Sequence, residues 1–307
     1  MGVAVSSWRL ARAVSQTGQL GVVSGTALDT VIARRLQDGD VGGHIRRALE
    51  QFPVLPMAQR VLRRYFRPAG RAQGQPYILV PQLSLRPSTA ALELSIVANF
   101  AEVWLAKEGH DGLVGINYLE KVQMATPSAA YGAMLADVDY VLMGAGIPAE
   151  IPQLLNRLSD HKPCSLKVHV DGATTAYNIG LDPQVLTGGE LPPLRRPMFL
   201  AIVSAHTLAA FLAREEATRP DGFVIEGPRS GGHNAPPRGH LVLDDDGQPI
   251  FGPRDDPDFD KVVKIGLPFW LAGGYSTPKQ LRQAQSIGAV GVQVGSLFAL
   301  SAESGFT

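Results

Sequence analysis

The stretch P-F-W-L-A-G-G-Y-S-T-P-K-Q-L-R-Q-A-Q-S-I-G-A-V-G-V-Q-V-G-S (268–296) decides the fold. Residues 268–272 form a short continuous apolar run, as in a strand buried on both faces, and the run stops at Gly273-Gly274. Ser276, Thr277 and Pro278 then open a helix. A second apolar run, 291–294, ends in the same way at Gly295-Ser296. Strand, glycine loop, helix and strand again is the repeating unit of a parallel sheet covered by helices.

The unit recurs upstream. Residues 222–226 form a strand that runs into a glycine-rich loop, and 198–203 leads into a helix over 207–216. The strand 140–143 ends at Gly144-Ala145-Gly146, and Pro148 opens the next helix at a favoured first-turn position. An apolar amphipathic helix over 92–106 precedes the strand 113–117, and another helix starts near Ser128. Residues 20–23 form a strand ending at Ser24-Gly25, with Thr26 as N-cap of a helix over 26–37. Residues 8–15 have helical spacing, 1–6 read as the tail of a strand, and 77–80 are strand-like. Residues 166–170 alternate as a strand does, but 198–203 is favoured as the member of the main sheet. Residues 240–251 read as a hairpin around Asp246-Gly247. The expectation is one (β/α)8 barrel domain over 1–307, with helical and loop insertions at about 41–75 and 171–196.

Bulk composition narrows the function. The chain has 307 residues, 45% of them apolar, enough for a large core. Twenty-eight basic residues balance twenty-eight acidic ones, which argues against a nucleic-acid partner. Arg60, Arg63, Arg64 and Arg67 recur at helical spacing, and a solvated helix face explains them better than a docking face for a phosphorylated ligand. Cys164 is the single cysteine, so no intrachain disulfide can form and a cytoplasmic setting is expected. The first residues lack the pattern of a signal peptide. The longest apolar stretch, 197–213, is interrupted by Ser204, His206 and Thr207 and reads as a buried strand entering a helix; no membrane partner is expected. No histidines have metal-ligand spacing, and Asp244-Asp245-Asp246-Gly247 lacks the ligands of a calcium loop.

In a barrel the chemistry sits at the C-terminal ends of the strands. Gly273-Gly274 and Gly295-Ser296, on the last two strand ends, would let backbone amides approach a phosphate, aided by the helix that follows. After the strand ending at Glu226, the loop G-P-R-S-G-G-H-N (227–234) allows the chain to pass close beneath a flat ligand and lifts His233 over it. A histidine there can take up a proton near neutral pH. Asn117, at the end of its strand, could offer a donor and an acceptor to a ring edge. Lys121 reads as solvated, and His169 with Asp171 as a surface pair. No serine-hydrolase elbow, Walker A loop or full dinucleotide fingerprint is present.

These motifs resemble those of the nitronate monooxygenases, once called 2-nitropropane dioxygenases. The resemblance rests on V-G-I-N (114–117), G-P-R-S-G-G-H-N (227–234), L-A-G-G-Y-S-T-P (271–278) and G-V-Q-V-G-S-L-F (291–298). It is similar as well to the flavin-dependent enoyl reductases of fatty-acid and polyunsaturated-acid synthesis. The resemblance implies non-covalent FMN. Asn117 and Glu226 would touch the flavin ring, with Gly231 and Gly232 beside it. Gly273, Gly274, Gln293, Gly295 and Ser296 would hold the ribityl phosphate, and His233 would be the catalytic residue. Glu226 stands where the family often has a glutamine, and an anion there would lower the flavin's reduction potential. The family's usual strand-four histidine is replaced by Met143-Gly144-Ala145. Compared with the family, the first strand and the end of the chain read as truncated.

Two activities follow from the resemblance. One is oxidation of nitronates or nitroalkanes by O2 to a carbonyl compound and nitrite. The alternative is NAD(P)H-dependent reduction of an enoyl thioester or a quinone, which the long insertions and Glu226 favour. A third reading, a non-catalytic flavin-holding subunit, is disfavoured because His233 is retained. The partners expected are a small-molecule substrate with O2 or NAD(P)H, and a homodimer is left open.

Overall fold

The structure is a computed structural model that describes residues 2–189, 191–228, 230–231 and 235–306. Its strands are β1 (Gly21–Ser24), β2 (Val114–Leu119), β3 (Tyr140–Gly144), β4 (Cys164–Val168), β5 (Tyr177–Leu181), β6 (Met198–Val203), β7 (Gly222–Glu226), β8 (Phe269–Ala272) and β9 (Gly291–Gln293). Seven of them form one parallel sheet in the order β1-β2-β3-β6-β7-β8-β9, each next to its predecessor in the chain once β4 and β5 are set aside. That order, with helices between the strands, is barrel architecture. Beyond the two sheet edges, the first and last described segments meet. Ser24 donates its amide to Ser6 (2.8 Å), and Gly305 donates its amide to Val5 (2.8 Å).

Register fixes which side chains face inward. Ser24, Asn117, Leu142 and Leu200 lie abreast, as do Ile202, Val224, Trp270 and Gly291, and then Glu226, Ala272 and Gln293. Leu142, Leu200, Val224 and Ala272 make a small buried cluster with Val22, Tyr140, Ile202 and Trp270 packed on it. Strand alternation puts all of these on one face, the concave interior. The outer face carries the larger core, against the helices.

The helices are α1 (Trp8–Ser15), α2 (Leu28–Gln37), α3 (His44–Glu50), α4 (Leu55–Tyr65), α5 (Thr89–Lys107), α6 (Thr126–Leu135), α7 (Ile151–Ser159), α8 (Pro183–Thr187), α9 (His206–Arg214), α10 (Phe259–Val263) and α11 (Pro278–Ser286). α5 is long and apolar enough to cross a membrane by length and composition, but most of it is buried in the core. It is not amphipathic as expected, because α1, α2, α3, α4 and α6 pack around it. Its acidic residues are therefore paired. Glu93 takes Arg60 (2.6 Å), and Glu102 takes the Trp8 amide (2.9 Å) and Arg35 (3.0 Å).

Several expectations are corrected. Residues 2–6 form turns, with Ala4 at a φ of 59°, and not a strand tail. Residues 77–80 form no strand: their apolar run is held by Gln37, whose side chain bonds both the amide (2.7 Å) and the carbonyl (3.3 Å) of Ile78. α2 starts at Leu28 with Ala27 as N-cap in the left-handed region, so Thr26 is not the cap. α7 starts at Ile151, with Pro152 rather than Pro148 in its first turn. The choice of 198–203 over 166–170 is borne out: β6 pairs with β3, while β4 pairs only with β5 in an antiparallel hairpin. β4 and β5 thus form a two-stranded sheet apart from the parallel one. Residues 240–251 turn back through the bridge Leu243–Pro249 and the Asp244 amide to Gln248 carbonyl bond (2.9 Å), too short a ladder for strands.

Candidate active site

The loops after β7, β8 and β9 converge at the C-terminal end of the sheet. Gly227 extends the β7–β8 ladder one rung by donating to the Ala272 carbonyl (3.2 Å), and Ser230 turns back to the Gly227 carbonyl (3.1 Å). Gly273 and Gly274 take φ values of 92° and 87°, open to glycine and strained for other residues. A Cβ on Gly273 would lie 2.5 Å from Ser230 Oγ and 2.9 Å from its amide nitrogen. A Cβ on Gly231 would overlap Ser296 Oγ. Of the glycines expected from sequence to surround a ligand, Gly231 and Gly273 are therefore points where the loops touch, while a Cβ on Gly295 would meet open space.

The helix contribution differs from the expected one. At α11, Gln280 Oε1 accepts the amides of Ser276 (3.0 Å) and Thr277 (2.9 Å), and Thr277 Oγ1 accepts the Gln280 amide (3.3 Å). This capping box uses the amides of Ser276, Thr277 and Gln280 internally, and Pro278 has no N–H to offer. Among the described residues after β9 the one helical element is a single 3-10 turn, Phe298–Leu300. An anion here would rest on the Gly273-Gly274 and Gly295-Ser296 main chain more than on helix ends.

Glu226, Ala272 and Gln293 occupy one rung of the concave face directly beneath these glycine loops. Burial raises the Glu226 carboxyl above its ordinary range of about 4.5, against a smaller lowering effect of its hydrogen bond with Ser230. The expected anion is thus a carboxyl that keeps its proton to higher pH. Across the mouth, Asn117 is half-buried on the same face between Ser24 and Leu142. Gly232 and His233 lie outside the described residues, as does Arg229.

The chain then makes an excursion back over the strand ends. Arg238 donates to the carbonyls of Ser204 (3.1 Å) and Arg254 (2.5 Å), and Asp255 accepts the amides of Arg238 and Gly252, each at 2.7 Å. Those two amide bonds hold the Asp255 carboxyl below its ordinary range. Ser204, Glu226, Gly227, Pro228, Arg238 and Asp255 line the small hollow beneath. Arg238 and Asp255 went unnoticed in the sequence because a clasp between loop residues 17 apart leaves no periodic trace.

The remaining candidates resolve simply. Lys121 is exposed, and His169 and Asp171 form an exposed pair at 3.3 Å. Burial pushes the Cys164 thiol up to about 11, which leaves it unreactive near neutrality. Arg60 is tied to Glu93, Arg64 lies over the Tyr65 ring, and Arg67, beyond the end of α4, bonds the carbonyls of Phe66 and Arg64. No metal-binding cluster is found among the described residues.

The donor set fits FMN. It offers glycine main chain where a Cβ on Gly231 or Gly273 would clash, polar side chains at Glu226, Gln293 and Asn117 on the concave face, and no second glycine fingerprint in the sequence for an adenine half.

No protein family and no curated protein matches the chain. Among solved structures it is similar to FabK from Thermotoga maritima, at 17% identity, covering 99% of this chain and 58% of that one, with a TM-score of 0.49. A point mutant of the same FabK aligns at 17% identity over 99% of this chain and 61% of that one, TM-score 0.48. The enoyl reductase domain of MlnA from the macrolactin biosynthesis cluster of Bacillus amyloliquefaciens aligns at 14% identity, over 68% of this chain and 46% of that one, TM-score 0.40. The chain spans about three fifths of the length of the FabK chains it matches. The fold assignment itself rests on the strand order and register given above.

Proposed function

We propose that this chain is an FMN-dependent oxidoreductase with its site at the C-terminal mouth of the sheet. The observation that carries the reading is the meeting of the three glycine loops at the strand ends, where a Cβ on Gly231 would meet Ser296 and one on Gly273 would meet Ser230. Gly273, Gly274, Gly295 and Ser296 hold the phosphate, and Gln293, Glu226 and Asn117 face the ring. Bound there, FMN supplies two-electron acceptor and donor chemistry. His233 moves the proton, Gly231 lets its loop approach Ser296 closely, with Gly232 beside the ring as the motif resemblance implies, and the Arg238–Asp255 clasp holds the covering excursion down against water.

Oxidation of a nitronate or nitroalkane by O2 is the reading that the motif set supports. The NAD(P)H-dependent reduction of an enoyl thioester or quinone is favoured by a separate feature. The β4–β5 hairpin reaches the strand-end loop after β2, where His169 donates its amide to Gln123 Oε1 (2.9 Å), and residues 235–258, tied to the Ser204 carbonyl through Arg238 (3.1 Å), would supply a second wall. A small nitro compound needs no such walls, whereas a long acyl substrate does.

The purified protein should be yellow and release FMN, not FAD, on denaturation. Anaerobic mixing with NADH, NADPH and ethylnitronate separates the activities: the donor that bleaches the flavin within seconds names the half-reaction. A protein that is colourless and fails to take up added FMN contradicts the whole proposal.

A further inference from the structure

Residues 240–251 form a hairpin arm that stands in water. Every residue from 241 to 250 is exposed, among them Leu241 (62%), Val242 (54%), Leu243 (52%) and Ile250 (51%). Four large apolar side chains on one short arm call for a cover, because a lone two-stranded hairpin is at best marginally stable in water. The backbone of the arm leaves one edge open. Ile250 donates to the Val242 carbonyl and Asp244 to the Gln248 carbonyl, each at 2.9 Å, on either side of the Leu243–Pro249 bridge. In that pattern the main-chain groups of Leu243 and Pro249 point away from each other, toward the two edges. Pro249 has no N–H, so its edge is blocked. On the other edge the Leu243 amide meets no acceptor among the described residues. An open edge of this kind is a template for another strand.

Charge selects the strand that fits. The base of the arm carries exposed Arg238, His240 and Arg254, and its tip carries exposed Asp244, Asp245 and Asp246. A partner of a single charge sign would suit one end and be repelled at the other. The same arm from a second copy, turned through 180°, sets tip against base twice over. That is the self-complementary pattern of a twofold interface.

We propose that the arm is a dimerisation element, pairing antiparallel through its Leu243 edge with the same arm of a second copy of this chain. The exposed leucines and valine then lie beside their counterparts, and each aspartate tip lies beside a basic base. Arg238 and Phe251, at the base of the arm, also line the hollow beside Glu226, so pairing steadies the loop over the candidate site. The inference needs no cofactor and stands apart from the FMN reading.

Sedimentation velocity over a concentration series measures the dimer dissociation constant, with far-UV circular dichroism as the control for folding. Leu243→Pro removes the edge amide and spares both bonds inside the arm. The twofold repeats the loss, so the dissociation constant should rise about tenfold. Charge is tested with two further variants, Asp245→Lys with Asp246→Lys at the tip, and His240→Glu with Arg254→Glu at the base. Each alone should dimerise about tenfold more weakly than the unsubstituted protein, and less so in high salt. Mixed in equal amounts, the two should form a heterodimer as tight as the unsubstituted dimer. There a lysine tip faces a glutamate base, and an aspartate tip faces an unaltered base. Misfolded variants could not produce that rescue. A chain that is monomeric at every concentration reached overturns the inference. So does a dimer that the substitutions leave unchanged, which would put the interface elsewhere, and so does a mixture no tighter than its components.

Discussion

Glu226 shows how burial changes the meaning of a residue read from sequence. As an ionised group beneath a flavin ring it would disfavour reduction. Half-buried on the concave face next to Ala272, with its carboxyl raised by desolvation, it holds its proton beyond the usual range. The same shift affects stability. The folded chain binds this proton more tightly than the unfolded chain does, so the contribution is fully present below about 4.5 and is lost as pH rises through the raised value. Glu226→Gln removes that dependence while keeping the shape. Relative to the unsubstituted protein, the flavin-free variant should gain stability between pH 4 and pH 8, read as a growing difference in urea midpoint. A difference that stays constant across that range would mean the carboxyl is solvated and the desolvation account is wrong.

At the scale of elements, legibility follows how each segment is held. β7 was readable to the residue because a parallel strand buried on both faces is a continuous apolar run. The run at 77–80 has the same composition but is docked by one glutamine side chain, a contact that composition cannot encode. Thr26 misled because cap chemistry and a left-handed turn compete for the same place, and backbone strain at Ala27 has no signature in the sequence. The glycine cradle was legible as two strand ends; the contact of Ser230 with Gly273 was not, because the two lie 43 positions apart. α5 makes the energetic counterpart of this point. Its Glu102 is fully buried, with the Trp8 amide and Arg35 as partners, and so ties α1 and α2 to the central helix. Arg35→Met leaves that carboxylate with a single amide and should destabilise the protein by about 3 kcal/mol, while adding Glu102→Gln should recover part of the loss. Urea denaturation of the single and double variants checks this. No recovery in the double variant would show that Arg35 acts through packing and not through charge.

For the whole molecule, the parallel order of seven strands gathers all C-terminal ends at one mouth, so residues from 24 to 296 meet there without being neighbours in sequence. The division between stability and function is correspondingly clean. The large outer core holds the helices, while the last two strand ends are open: β9 and the residues after it are only partly buried or exposed. Gly295 lies in that open region, and a Cβ placed on it meets no atom within 4 Å. Its φ lies outside the left-handed region, so an L side chain adds no backbone strain. Gly295→Asp should therefore leave far-UV circular dichroism and the flavin-free urea midpoint close to those of the unsubstituted protein. Its effect on a phosphate would be large. At about 4 Å and an effective dielectric constant of about 20, each pair of like unit charges repels by about 4 kcal/mol, which is close to a thousandfold in affinity. Flavin content after purification should fall to a small fraction, and FMN titration should show the same loss. An intact fold with normal flavin content would place the phosphate elsewhere on the mouth, and the three-loop cradle would then need another ligand.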